Sequence, residues 1–400
     1  MLYATSEDGI HWTKPAMDFV CYTASKGIVD CKEDGAQKTN ILAPAANGGS
    51  VWKDKHEKNA SRAFKIAGQF MGPPGPGRDM GGGGVCMGPD GLHFPDCYNF
   101  DIKNVHWDTW TNMFYDDRSG EYVEMMRASN HTNPCGTQFY PGCVSMDCDF
   151  RDCFDTKRTI SRVHTAGDKI STMGAGGGNI PVEWPTNPND QLYVQVAFPY
   201  LNAYLGVVMV YEAATMRQGV RCRLAWSNDT VHWNRLSEDL IPRGEDGSFE
   251  SHICYGSIPT TMDNGTIAMY YFGGDGPHYG VRNSSLALAT FRPHGLAGVG
   301  APKDWISRVQ SRTKPLMVTG KTMLITADTD IPLHEHTGSG YIVAPGRVTL
   351  STGHVECTVT KANVTEAAVS SCDLSAFVGQ KTAFDVEIEG GALLYTISFI

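Results

Sequence analysis

The sequence predicts an all-β protein: a five-bladed β-propeller over residues 1–310, then a β-sandwich over residues 311–400. Three observations carry that expectation. One strand-and-turn motif recurs along the chain. The segments between its copies are strand-rich and punctuated by Gly, Asp and Asn. After about Ser311 the motif stops, and short strands separated by Gly and Asp take over.

The motif opens the chain as Tyr3-Ala-Thr-Ser6-Glu-Asp8-Gly9-Ile-His11-Trp12. It returns as Cys86-Met-Gly-Pro-Asp90-Gly91-Leu-His93-Phe94, and again as Leu224-Ala-Trp-Ser227-Asn-Asp229-Thr-Val-His232-Trp233. A strand runs into a tight turn capped by the Asp side chain, and the aromatic folds back onto the sheet. Two degraded copies follow the same outline, Arg158–His164 with the residues after it, and Ser285–Leu296. The five end near residues 12, 94, 170, 233 and 297, so they recur every 60 to 80 residues or so. Strand-rich repeats of that length read as propeller blades. A single long sandwich would not explain why one turn recurs.

Paired strands are expected inside each unit: Gly48–Asp54 with Arg62–Ala67, Asp108–Tyr115 with Glu121–Met126, and Leu192–Pro199 with Ala203–Tyr211. The stretch Arg243–Tyr279 is the richest. A polar turn at Gly244–Gly247 leads into Ser248–His252, read as a strand on which Glu250 and His252 share a face. Then comes a hairpin from Ile258 through Asp263-Asn264-Gly265 to the return strand Ile267–Phe272, Asn-Gly being a strong hairpin signal. The loop after it carries Asp275 and His278. The alternative is a solvated loop beside a strand. The glycine runs at 72–77, 81–84 and 174–178 read as loops, since none has the strand, helix and Lys-Ser/Thr of a phosphate cradle.

A net charge of −10 argues against a nucleic-acid partner, whose phosphates need a basic face. The longest apolar run, Val194–Ala214, is interrupted by Gln195, Pro199, Asn202 and Glu212 and is too polar for a membrane span. The 12 cysteines include close pairs, Cys21 with Cys31, Cys86 with Cys97 and Cys357 with Cys372, and a cluster at Cys135, Cys143, Cys148 and Cys153. Six Asn-x-Ser/Thr sequons accompany them, at Asn59, Asn130, Asn228, Asn264, Asn283 and Asn363. Together these favour a secreted or secretory-pathway protein with disulfides, including Cys357–Cys372 and at least one within Cys135–Cys153. A zinc site in that cluster is the rival reading, but the C-x-x-C pairing is missing. Met1-Leu2-Tyr3 reads as the inside of a strand, with no leader-like segment before it.

The Ser6–Trp12 and Ser227–Trp233 repeats, Gly247-Ser-Phe-Glu250, the loop Tyr270–His278 and the strand Ala287–Leu296 resemble a group of proteins related to glycoside hydrolase families 32 and 43. Thr313–Leu316, Leu324–Asp328 and Leu393–Phe399 resemble that group's appended β-sandwich. The resemblance covers nearly the whole chain. It implies a propeller with an axial funnel and carboxylates from the innermost strands: a nucleophile or base, a stabiliser, and a general acid. Hydrolysis of a glycosidic bond needs two carboxylates flanking it, one holding a proton at working pH. The Trp-x-Asn-Asp-Pro-like segment that carries the family 32 nucleophile has no counterpart in residues 1–400.

The expectation is therefore a glycosidase acting on an oligo- or polysaccharide through Asp108, Glu250 and Asp275, with Glu250 as the general acid and Asp108 across the funnel. Asp54, His252, His278 and Trp110 would bind the sugar, with no cofactor and no metal. Trp52, Trp107 and Trp184 are further candidates for sugar stacking, or else pack the blades. The alternative is a non-catalytic carbohydrate-binding protein that keeps the propeller. A sialidase is a third reading, disfavoured because no arginine triad is evident.

Overall fold

The computed structural model describes residues 2–42, 46–70, 83–100, 106–107, 110–129, 158–173, 180–183, 190–300 apart from 214 and 216, 308–329, 346–360 and 368–400. Among them every regular element is a β-strand, apart from three short 3₁₀ turns at Ala60–Arg62, Ile170–Thr172 and Ser375–Phe377. No helix among them is long and apolar enough to cross a membrane. The Cys135–Cys153 cluster, Asp108, Trp184 and the glycine runs at 72–77 and 174–178 lie outside the described residues. Gly83 and Gly84, expected in a loop, open the strand Gly83–Gly88 instead.

The chain forms two compact units, residues 1–258 with 270–288, and residues 259–269 with 289–400. In the first unit, antiparallel strands follow one another in successive sheets. One sheet runs Ala46–Lys53, Phe64–Phe70, Gly83–Gly88, Asp96–Asn99. The next runs Asn112–Asp116, Glu121–Ser129, Arg158–His164, Ile180–Glu183, with His106–Trp107 preceding Asn112 along the same edge. A third runs Gln191–Tyr200, Ala203–Tyr211, Val220–Ser227, Trp233–Asp239. Ile253–Gly256 continues it, paired in parallel at Val220↔Ile253 and antiparallel with Ile267–Gly274. Met17–Thr23, Gly27–Val29 and Gln37–Thr39 form a smaller sheet.

Both faces of the second sheet are apolar, because sheets cover it on each side. Met113, Tyr122, Met126 and Val163 share a core with Ala67, Val85 and Met87 of the sheet before. Phe114, Val123, Met125 and Ile160 share one with Leu192, Ala197, Tyr204 and Val208 of the sheet after. Strand alternation alone sorts Tyr122, Glu124 and Met126 to one side and Val123, Met125 and Arg127 to the other.

The recurrent turn is one physical object in three places. Asp8 accepts the backbone N–H groups of Ile10 and His11 and pairs with the His11 ring at 2.6 Å. Asp90 does the same for Leu92, His93 and its ring, and Asp229 for Val231, His232 and its ring. The third turn position is left-handed, with φ of 74° at Gly9 and 77° at Gly91. Thr230 takes it at 64° without glycine's freedom, held by Arg162 Nε on its hydroxyl and by Trp233 Nε1 on its carbonyl. The two degraded copies keep their strands, but neither has the Asp–His turn. Thr165 organises one, and the other is a turn closed by Gly295 N on Arg292 O.

The second unit holds two four-stranded antiparallel sheets: Val299–Gly300, Leu393–Phe399, Thr322–Asp328, Ala368–Asp373, and Val309–Arg312, Asp385–Glu389, Arg347–Thr352, Val355–Val359. Met323, Ile325 and Ala327 of one and Val348, Leu350 and Ile388 of the other share a single core. Disulfides join Cys21–Cys31, Cys86–Cys97, Cys222–Cys254 and Cys357–Cys372.

Candidate functional site

Register fixes which residues meet at each end of the first unit's strands. Gln191 pairs with Tyr211, Tyr211 with Val220, Val220 with Ile253, and Ile253 with Gly274. One end therefore gathers the start of Gln191–Tyr200, the end of Ala203–Tyr211, the turn before Ile253 and the loop after Gly274. A bulge between Leu192 and Val194 interrupts that register at Tyr193. Bulges re-aim a side chain, and Tyr193 reaches Arg127 of the second sheet and His278 of the loop after Gly274.

At its centre is His278. The Tyr193 hydroxyl lies 2.7 Å from His278 Nε2, and the Tyr255 hydroxyl 3.1 Å from Nδ1. The rings of Tyr193, Tyr211 and Tyr279 lie 4.8, 4.9 and 4.6 Å from the imidazole. The Arg127 guanidinium, from the second sheet, lies 4.2 Å over the Tyr193 ring. The loop is fixed by His278 N on Gln218 O, and by Arg282 Nη1, which donates to the carbonyls of Pro277 and His278. Burial, reinforced by the charges of Arg282 and Arg127, lowers the His278 pKa to about 4, so the ring is neutral at pH 7. Burial likewise pushes the Tyr255 phenol far above its ordinary value, so it keeps its proton.

Glu250 and His252 sit in turns, not on a strand: Ser248 N bonds Glu245 O, Ser251 N bonds Ser248 O, and the strand begins only at Ile253. The expected shared strand face is therefore absent. The glycines and Asp around Ser248 favour turns over an extended strand. Tyr271 donates its phenol proton to Glu250 Oε2. Ser251 Oγ lies 2.9 Å from His252 Nδ1. Asp275 takes the backbone and side-chain N–H groups of Asn283 at 2.7 and 2.8 Å, which hold its carboxyl below the usual range. Tyr255 pairs with Phe272, whereas Tyr271 pairs with Gly256. Glu250, tied to Tyr271, therefore lies on the opposite sheet face from Tyr255 and His278, at the same strand end.

Asp54 is at the other end. It is 5% exposed, pairs with the fully buried Lys65 at 2.8 Å and accepts the Tyr122 hydroxyl at 2.6 Å. Burial pulls its pKa up, but Lys65 and Tyr122 outweigh that and hold it below the usual value. Asp116 repeats the device one sheet on, accepting the Tyr204 hydroxyl at 2.6 Å. Trp110 is half-buried, its indole N–H shielded from solvent and without a hydrogen-bond partner.

Sequence reasoning missed Tyr193, Tyr255, Arg127 and Arg282, and also Glu124. Glu124 is fully buried, neither carboxyl oxygen has a hydrogen-bond partner, and burial pushes its pKa up to about 8. Its signal was an acid at an inward position of Glu121–Met126, between Tyr122 and Met126. Among the described residues no three of His, Cys, Asp and Glu are placed to hold a metal ion.

No protein-family model matches the sequence, and a search of curated proteins finds no match. Solved structures similar to the chain include a glycoside hydrolase at 15% identity, covering 75% of this chain and 80% of that one at a TM-score of 0.44. They include an α-L-arabinanase from Penicillium chrysogenum complexed with arabinobiose, at 9% identity, 87% and 94% coverage and a TM-score of 0.37. A family 117 glycoside hydrolase from Zobellia galactanivorans stands at 10% identity, 73% and 88% coverage and a TM-score of 0.34. All three are distant likenesses.

Proposed function

We propose that the chain is a secreted carbohydrate-active protein, a five-bladed propeller with an appended β-sandwich, and that it hydrolyses glycosidic bonds in an oligo- or polysaccharide. The observation that carries this is the cluster at one strand end, where Tyr193, Tyr211, Tyr255, Tyr279 and a neutral His278 meet. Phenol and imidazole present apolar faces with hydrogen-bonding rims, the chemistry that suits a sugar's C–H face and hydroxyls. In this reading Glu250 is the general acid, held at Oε2 by Tyr271 and presenting Oε1 to the leaving oxygen. Asp275, kept ionised by Asn283, stabilises developing positive charge, and Asp108 activates water. His252 and Trp110 add contacts to the bound sugar, while Asp54 serves the fold at the far strand end.

One observation favours a second reading, sugar binding without turnover. Glu250 and Asp275 are each already hydrogen-bonded near their own loops, and Glu250 lies across the sheet from His278. Turnover of an oligosaccharide panel by the wild type, Glu250→Gln and His278→Ala separates the two. Hydrolysis lost in Glu250→Gln with binding retained supports the enzyme. Binding lost only in His278→Ala, with no turnover by any form, supports the binding protein.

A further inference from the structure

A second set of polar side chains shares this strand end but lies on the other face of the third sheet. Val210 pairs with Leu192 on one side and Arg221 on the other, and Val208 pairs with Arg223. Strand alternation puts Asp190, two residues before Leu192, and Glu212, two after Val210, on that same face. Leu192, Val208 and Val210 fill a core with the second sheet, so the charges stand at its rim. Most of them are paired. Arg221 donates Nε to Asp239 at 2.8 Å and Nη1 to Glu212 at 3.4 Å, and Arg243 donates Nη2 to Glu212 at 2.5 Å.

Two are left open. Arg223 Nε lies 3.7 Å from Asp239 Oδ1, beyond hydrogen-bond reach, and is buried without a hydrogen-bond partner. Asp190, half-buried, has no hydrogen bond or ion pair among the described residues. Burial, then the Glu212 carboxylate, push its carboxyl above the ordinary value, and Arg223 is foremost among the arginines that pull it back. Asp190 and Arg223 thus feel each other's charge without touching. Arg235 bears on both and is engaged in contacts of its own. The cluster also reaches the turn that carries Glu250. A Cβ at Gly219 would meet Arg243 Nη2 at 2.5 Å and the His252 carbonyl at 2.8 Å, and one at Gly244 would meet Glu250 Cγ at 2.9 Å.

We propose that Asp190 and Arg223 form a second saccharide subsite on Glu250's side of the strand end, Asp190 accepting from and Arg223 donating to the hydroxyls of one sugar unit. The proposal rests on the carbohydrate reading above and deepens it, since the ligand is then an oligosaccharide with a neutral unit seated there. A hydroxyl both donates and accepts, so it satisfies the carboxylate and the guanidinium together. A lone anion would meet the carboxylates of Asp190 and Glu212, and a lone cation the guanidiniums of Arg221 and Arg223. Hydrogen bonds to charged groups are the strong ones, so two of them reward an added sugar unit.

The test is calorimetric binding of arabinose, xylose and galactose oligosaccharides to the full chain, each as dimer and tetramer. In the series that binds, the tetramer should bind at least about tenfold more tightly than the dimer. Asp190→Asn and Arg223→Gln should each bring the tetramer down towards the dimer and leave dimer affinity unchanged, with melting temperature close to wild type. Asp190 has no partner in the fold to lose, so Asp190→Asn decides if Arg223→Gln disturbs the sheet. Equal affinity for dimer and tetramer overturns the proposal while leaving carbohydrate binding intact. So does a length preference that survives in the folded variants, which would mean that water alone bridges the pair, or an equal loss for both lengths. No binding of any oligosaccharide overturns both readings.

Discussion

The two ends of the first unit's strands handle charge in opposite ways. At one end the buried carboxylates among the described residues have partners, Asp54 holding Lys65 and Tyr122 and Asp116 holding Tyr204, and even the exposed recurrent Asp side chains each hold their own His. At the other end, a neutral His278 is packed among tyrosines, and the Arg282 guanidinium bonds only carbonyls among the described residues. Polar groups satisfied by the fold itself are structural. Polar groups the fold leaves over are available to something else. The second unit sharpens the contrast, because among its described residues the buried polar ones are three threonines, Thr326, Thr329 and Thr382, and none is ionisable.

If the first end is structural, breaking it should cost stability and spare the site. Asp54→Ala leaves the fully buried Lys65 without its closest carboxylate, and should lower stability by about 3–5 kcal/mol by calorimetry. Sugar binding by the surviving folded fraction should be unchanged. Tyr204→Phe removes a single hydrogen bond to the Asp116 carboxylate, for a loss of about 1.5–3 kcal/mol in urea unfolding.

Glu124 belongs to neither end and predicts a pH dependence. Its carboxyl is raised in the folded state to about 8 from an ordinary 4.5. Its contribution is therefore fully present below pH 4.5 and is lost as pH rises through 8, because the unfolded chain ionises first. Glu124→Gln should abolish that slope and gain roughly 1–3 kcal/mol at pH 8, where the wild type buries an unsatisfied group. Parallel slopes for both proteins would mean that Glu124 is solvated or paired.

The smallest stability effect and the largest binding effect should coincide in Tyr193→Phe. The ring stays packed under Arg127, so stability should move by less than about 1 kcal/mol, while affinity for sugar falls about tenfold. A variant that unfolds instead would place Tyr193 with the structural residues.

What the sequence made legible was local. Asp, Gly, His and an aromatic at fixed offsets spell the recurrent turn, because all its hydrogen bonds fall within three residues. The hairpins at Asp116–Gly120 and Asp263–Gly265 were legible for the same reason. What was hidden depends on distance. Cys222 bonds Cys254 across 32 residues, further apart than any pair the sequence suggested. Tyr193 reads as one more residue of an apolar strand, and only a bulge directs it towards Arg127 and His278. Glu250 and His252 were read on a strand because their spacing fits one, but the turn chemistry of Gly244–Ser248 extends to Ser251. His278 was singled out on the strength of its loop, while the tyrosines that give it a role come from other strands.

The central claim, that the tyrosine cluster around His278 is the ligand site, is tested most directly by following the His278 imidazole by NMR from pH 8 to pH 4, with and without an oligosaccharide. The folded-state value of about 4 lies below the ordinary 6.5, so His278 should stay neutral down to about pH 5 and move only towards the end of the titration. Adding sugar should shift its ring signals, because the Tyr193 and Tyr255 hydroxyls that hold both nitrogens must readjust to the ligand. A His278 that titrates near 6.5 and ignores a sugar bound elsewhere on the protein would contradict the account.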